Sequence, residues 1–212
     1  MSALKRALHD RLIPEAAWSP GDRPAWSDFD LNPDLPRTAE TLTPAAVLVA
    51  VMDRPEGPTV VLTRRADTLA RHTGQIALPG GRLEPGERAA DAALREAWEE
   101  VGLPPASVEL LGLGDTYESG TGFVITPAVG WVAAPPPLVA SPDEVADVFE
   151  APWSFLMDVA NHRRDFLEPT TGGPRRWFWT MTWEERRIWG VTAGVLRSLS
   201  RRLGHGDAED AA

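Results

Sequence analysis

Between residues 80 and 103 the chain reads GGRLEPGERAADAALREAWEEVGL, which sets Glu84, Glu87, Glu96, Glu99 and Glu100 close together with Arg88 and Arg95. Carboxylates four residues apart on a helix repel each other by a few tenths of a kcal/mol. Glu96 and Glu100 do so near the helix C-terminus, where the macrodipole favours cations. Two readings account for such a stretch. In one, Arg88 and Arg95 supply ion pairs to a solvated acidic face. In the other, the carboxylates await a hard divalent cation, since Mg²⁺ takes oxygen ligands, commonly one or two carboxylates together with substrate phosphates. On that second reading Arg95 holds Glu99 one turn further on and fixes its orientation.

At 100° per residue, with Ala90 as zero, the apolar positions Ala90, Ala93, Leu94, Ala97 and Val101 fall within about 60° of one direction. Glu96, Glu99 and Glu100 fall at roughly 240°, 180° and 280°, a separate stripe that does not face the core squarely. Spacing alone leaves both readings open.

A second cluster lies just upstream in VLTRRADTLARHTGQIALPGG, residues 61–81. Arg64, Arg65, Arg71 and Arg82 against Asp67 give a net +3 over residues 61–82, while residues 84–100 carry six acids against Arg88 and Arg95, a net −4. Since the whole chain is −10, an anionic substrate has to be held by local basic groups or by metal. A cationic patch beside a metal-binding acidic one suits a polyphosphate ester. His72 and Gln75 sit within the same stretch and are candidate substrate contacts.

The elements that must position these residues follow from the pattern. AAVLVAVM (45–52) and TVVLTRR (59–65) read as strands joined as a hairpin by the turn-forming DRPEGP. GERAADAALREAWEEV (86–101) is a helix that Gly102 can end and that Pro104 and Pro105 prevent from continuing. VELLGLGDTYE (108–118), FVITPAVGWVA (123–133) and EVADVFEAP (144–152) read as further strands. RRWFWTMTW (175–183) is a strand ending in a turn at Glu184 and Glu185, and alternation puts Trp177, Trp179 and Trp183 on one face, read as core rather than a base-stacking platform. RRIWGVTAGVLRSLSRRL (186–203) reads as a closing amphipathic helix with Ile188, Val195, Leu199 and Leu203 on one side. Strands first, one helix in the middle and one at the end predict a mixed sheet with helices packed on its faces rather than strict βαβ alternation.

The exact pattern of the acidic stretch carries a resemblance. Gly81, five residues, Glu87, seven residues, then Arg95-Glu96-Ala97-Trp98-Glu99-Glu100-Val101-Gly102-Leu103 resembles the full Nudix box, with every specified charged and glycine position matched. The resemblance implies an α/β/α sandwich with a mixed sheet, of class α/β (α+β), and hydrolysis of a nucleoside diphosphate linked to a further group with Mg²⁺ or Mn²⁺. It implies Glu99 and Glu100 as metal ligands, Glu96 as a ligand or water-activating base, and the Gly80 carbonyl as a further ligand. Glu87 and Arg95 become the ion-pair scaffold, with Gly81 and Gly102 as structural supports and Glu84 a bystander. Glu144 lies in a loop region from which some Nudix enzymes supply another ligand or base.

Leu62, Thr63, Arg65, Ala66, Gly74, Pro79, Gly80 and Gly81 are also similar to the segment preceding the box in coenzyme A pyrophosphatases of this superfamily. Ala70 stands where that pattern has a second arginine, with Arg71 beside it, and Leu78 stands where it has phenylalanine. The resemblance extends over most of residues 45–203 and implies cleavage of coenzyme A (CoA) to 3′,5′-ADP and 4′-phosphopantetheine, the arginines serving the 3′-phosphate. Two alternatives remain open: another dinucleotide or nucleotide substrate such as ADP-ribose, an NADH-type molecule or an oxidised nucleotide, and a non-catalytic nucleotide-binding module. The second is disfavoured because Glu96, Glu99 and Glu100 are all present.

Composition bounds the rest. At 212 residues, 43% hydrophobic and 25% charged, the chain suits one globular unit, and the absence of cysteine excludes disulfides, thiolate zinc sites and a cysteine nucleophile. The negative charge argues against nucleic acid, and no apolar run approaches the roughly 18 residues that span a bilayer. A small-molecule nucleotide is the expected partner, a homodimer is allowed, and a cytoplasmic location is the default. The expected organisation is an N-terminal helix with a proline-rich arm over 1–43 packed on the body, a hydrolase domain over 44–203 and a tail over 204–212. Within the arm, Leu4, Leu8 and Leu12 fit a packed surface helix.

Overall fold

The computed structural model describes residues 2–19, 24–37, 39–66, 74–169 and 172–206. The chain opens with α1 (Ala3–Arg11), β1 (Trp26–Ser27), β2 (Thr43–Met52), β3 (Thr59–Arg65), β4 (Ile76–Ala77) and β5 (Gly80–Arg82). After these come α2 (Ala89–Val101), β6 (Glu109–Leu113), β7 (Tyr117–Glu118), β8 (Phe123–Val132) and β9 (Val145–Pro152). The chain closes with α3 (Trp153–Met157), β10 (Arg163–Leu167), β11 (Arg176–Trp183), β12 (Arg186–Trp189) and α4 (Val191–Arg202).

Among the described residues, β1 to β9 form one mixed sheet, with β2 parallel to β8 and antiparallel to β3 and β5. β2 is apolar on both faces because both are covered, the signature of a central strand. Ala46, Leu48, Ala50 and Met52 pack toward the alanines of α2, while Val49 and Val51 pack toward Val195, Leu196 and Leu199 of α4. Alanines on α2 let its axis approach the sheet closely. The result is an α/β/α sandwich, and Leu48 at its centre is fully buried, so Leu48→Ala costs about 2–5 kcal/mol.

The expected β2–β3 hairpin forms, although its ladder is short: Val51 faces Val60 and Met52 faces Thr59, while the other edge of β3 pairs with β9 along its whole length. The run 108–118 breaks into β6 and β7, separated by Gly114–Thr116. The closing helix is corrected at its start. Residues 186–189 are strand β12, paired antiparallel with β11, and the helix begins at Val191 after Gly190 turns the chain with φ 64°. Ile188, Val195, Leu199 and Leu203 are buried as expected, but Ile188 reaches the core from a strand. β10, β11 and β12 form a separate small sheet, and the turn at Glu184 carries φ 53°.

The N-terminal segment packs against this body. Leu8 and Leu12 are buried, Ile13 bridges to Leu113, Trp18 Nε1 donates to Thr126 Oγ1, and β1 adds to β7 in parallel. Asn32 takes both backbone groups of Trp177: its Nδ2 donates to the carbonyl at 2.8 Å and its Oδ1 accepts from the N–H at 2.7 Å.

Candidate active site

The acidic helix is aimed by two glycines. β5 lies against β2, with Gly80 opposite Val47 and Gly81 opposite Ala46. A Cβ on Gly80 would meet the Ala46 carbonyl and come within 2.7 Å of Val47 Cα, both backbone atoms that cannot move aside. A Cβ on Gly81 would fall on the Glu96 carboxyl, 2.7 Å from Oε2. The paired glycines therefore bring the β5 backbone against α2 and leave room for the Glu96 side chain. Gly102 then ends α2 with φ 66°, in the left-handed region where glycine carries no Cβ penalty.

Arg95 is the hub of the cluster. Its Nε and Nη2 donate to the two oxygens of Glu87 at 2.9 and 3.0 Å, its Nη1 to Glu96 at 2.9 Å and Glu99 at 3.2 Å, and its Nη2 also to the Arg82 carbonyl at 3.1 Å. Glu87 Oε2 accepts in addition from the Glu84 N–H at 2.8 Å. This two-pronged pairing holds the Glu87 carboxyl below the usual carboxylate range, and the Arg95 guanidinium is held still more firmly in its charged form. Arg88, by contrast, pairs with Glu15 of the N-terminal segment at 2.6 Å and takes no part in the cluster.

The three helix carboxylates have different environments. Glu99 points outward to Arg95, with its side chain half exposed. Glu96 is partly buried, and burial pushes its carboxyl up against the pull of Arg95, with Glu99 and Glu144 adding repulsion. Glu100 is buried, so a stripe expected not to face the core squarely still carries one carboxylate into it. The reason is visible on the wheel: Glu100, at roughly 280°, stands about 20° from Ala93. Burial pushes the Glu100 carboxyl up to about 8, with the Arg65 charge and the Gly80 N–H pulling down and Glu96 and Glu144 pushing up. The Gly80 N–H lies 3.3 Å from Glu100 Oε2.

Buried oxygen donors short of positive charge are chemistry that fits a hard divalent cation. Among the described residues no three acidic side chains already converge on one point, because Glu99 is turned to Arg95. Glu96, Glu100 and Glu144 nevertheless share one field, so the exposed loop residue Glu144 stands on the same side as the helix carboxylates.

A cavity of about 330 Å³ opens beside this cluster, meeting it at Arg65 and Gly80. Gln75 lines it as well, and its carbonyl accepts from the Arg65 N–H at 3.0 Å. Arg64 does not line it, because successive side chains of a strand point to opposite faces. Arg71 and His72, along with Ala70, lie outside the described residues. The far wall lies outside the expected site residues. Thr121, Arg176, Phe178 and Trp189 line the cavity, and Trp177, expected in the core, lines it too, whereas Trp179 and Trp183 do pack against the core. Alternation along β11 gives no signal for this wall, since the adjacent Trp177 and Phe178 both line it; the pairing of β11 with β12 that adds Trp189 has no local signature either.

A family model for the NUDIX domain matches residues 42–169, and the chain belongs to the Nudix family. Among curated relatives, the uncharacterized Nudix hydrolase NudL of Cronobacter sakazakii is 39% identical over 175 residues, covering 82% of this chain and 90% of that protein. NudL of Escherichia coli strain K12 is 37% identical with the same coverage. Among solved structures, a C. elegans Ap4A hydrolase binary complex aligns with TM-score 0.45 and 19% identity over 51% of this chain and 79% of that one. RenU, a Nudix hydrolase from M. smegmatis, aligns with TM-score 0.44 and 24% identity over 51% and 70%.

Proposed function

We propose that this Nudix hydrolase, acting on nucleoside diphosphate derivatives, takes CoA or its derivatives as substrate. Water adds at one phosphorus, the anhydride P–O bond breaks, and the products are 3′,5′-ADP and 4′-phosphopantetheine or its acyl form. The observation that carries the reading is the meeting of two sequence features at one place. Arg65, from the CoA-type upstream segment, lines the cavity and bears electrostatically on Glu100 of the box.

Glu96, Glu99 and Glu100, with the Gly80 carbonyl, would hold Mg²⁺ or Mn²⁺; when bound, such a cation supplies neutralisation of the diphosphate and a more acidic water. Arg65 then faces the negative charge of the substrate at the mouth of the carboxylate cluster. Glu96, with its carboxyl raised by burial, is suited to take up the proton that water gives up. Arg95 and Glu87 act as positioning residues, fixing α2 against the β5 loop. Gln75 is a further substrate contact on this reading, and the sequence adds Arg71 and His72 as candidates. The catalytic unit on this reading is residues 44–203, with residues 1–43 as an arm packed on it.

The test is to incubate purified protein with Mg²⁺ or Mn²⁺ and CoA, ADP-ribose or NADH in separate reactions and to identify the products. Release of 3′,5′-ADP from CoA supports the reading. Turnover of ADP-ribose or NADH with none from CoA overturns it.

A further inference from the structure

The far end of the cavity has an electrostatic character of its own, and its cation, Arg176, lies outside the residues that match the family model. Among the described residues lining the cavity, Arg65 and Arg176 are the cationic ones. They stand at different places along it. Gly80, next to the carboxylates, pairs with Val47 of β2, whereas Phe123, just after Thr121, pairs with Thr43. Four residues of strand separate these two backbone positions, roughly 13 Å at about 3.3 Å per residue.

Arg176 is held in place from the N-terminal arm. Its Nη2 lies 3.6 Å from Asp28 Oδ2, an ion pair rather than a hydrogen bond. Asp28 is itself fixed by the Tyr117 hydroxyl at 2.8 Å and the Gly120 N–H at 2.7 Å. The neighbouring Trp177 backbone is clamped at both its N–H and carbonyl by Asn32. The guanidinium is thus oriented while its donors stay available, with its side chain about half exposed. Thr121 and Ser119 line the same end; Ser119 Oγ accepts from the Phe123 N–H and lies 3.0 Å from Thr121 Oγ1. An oriented guanidinium with a hydroxyl beside it is the recognition chemistry of a phosphate monoester dianion.

We infer that Arg176, with the Thr121 hydroxyl, forms a second phosphate subsite that binds a ribose phosphate of the substrate while its diphosphate lies at Arg65 and the box carboxylates. The inference rests on the CoA reading above and deepens it: the 3′-phosphate is read by Arg176, not by the arginines of residues 64–71. It also gives the N-terminal arm a task, since Asp28 and Asn32 set the position of the β11 end that carries Arg176.

The test compares CoA with dephospho-CoA, the same molecule without its 3′-phosphate, and reads the ratio of their kcat/KM values in wild type, Arg176→Gln and Arg176→Lys. Loss of a charge-assisted contact is expected to lower the CoA to dephospho-CoA ratio at least about tenfold in Arg176→Gln. Arg176→Lys, which keeps the charge, recovers part of it. Because the ratio is taken within one preparation, partial misfolding of a variant cancels. A wild type that treats the two substrates alike, or a ratio that Arg176→Gln leaves unchanged, overturns the subsite and leaves the CoA reading standing. Turnover of neither substrate by the wild type removes both.

Discussion

Dismantling the Arg95 hub offers a quantitative test of how the acidic helix is held. Arg95 gives Glu87 two hydrogen bonds, and the two side chains are 26% and 14% exposed. That lies between a surface ion pair, worth about 0–1 kcal/mol, and a protected charge-assisted contact, worth about 1.5–3 kcal/mol per bond. A coupling of about 2 kcal/mol between the two residues follows from these limits. Arg95→Met also deprives Glu96 and Glu99 of their shared cation, so it should cost about 3 kcal/mol against about 2 for Glu87→Gln. Urea unfolding of wild type, both single variants and the double variant at pH 7 gives the coupling directly. The sign of its pH dependence is fixed. Because the Glu87 carboxyl lies below its ordinary 4.5 in the folded state, its stabilisation is present above that value and is lost as pH falls through the lower folded-state one. A coupling under about 0.5 kcal/mol at pH 7, or one that persists unchanged in strong acid, would refute the hub as an energetic unit.

Further expectations concern single positions. Gly81→Ala should push the Glu96 carboxyl out of place and cut turnover at least tenfold with thermal stability within about 1 kcal/mol of wild type; full activity would show that Glu96 needs no fixed position. Glu99→Gln should lose most activity while near-UV and far-UV circular dichroism stay unchanged, and undiminished turnover would remove Glu99 from the ligand set. His162 is buried, with Nε2 against the Leu156 carbonyl at 2.7 Å, and burial holds it below the ordinary 6.5 with the Arg197 charge adding to the effect. The unfolded chain therefore takes up a proton below about 6.5 that the folded one refuses, so stability should fall with pH there, by up to about 1.4 kcal/mol per unit. Urea midpoints of wild type and His162→Phe across pH 5 to 7.5 measure this, and equal slopes would contradict it.

What the sequence made legible was whatever has a local period. β2 and β8 read as strands because both faces are apolar, and α2 because its alanines recur at helical spacing between a glycine-rich loop and Gly102. β4 and β5 have two and three residues, too short for any period, so the strand that carries Gly80 and Gly81 was invisible even though the glycines themselves were conspicuous. β12 was absorbed into the helix after it because Ile188 falls by chance on the apolar side of the α4 pattern. Within the site, the charge pattern located Glu87, Arg95, Glu96, Glu99 and Glu100, but the wheel treated burial as a property of one helix. Glu100 is buried against Gly80 of β5, a neighbour that no single-helix projection contains. The far wall was out of reach for a different reason: Asn32 and Trp177 are 145 positions apart, and the Asp28–Arg176 pair is likewise made only by the fold.

On the proposed reading the carboxylates of α2 and Arg65 serve hydrolysis of a CoA-type diphosphate. Its most direct test is product identification after incubation of the purified protein with CoA and Mn²⁺ or Mg²⁺, with a metal-free control. Equimolar 3′,5′-ADP and 4′-phosphopantetheine are expected, formed only with metal. An absence of 3′,5′-ADP, with ADP-ribose or NADH hydrolysed under the same conditions, would contradict it.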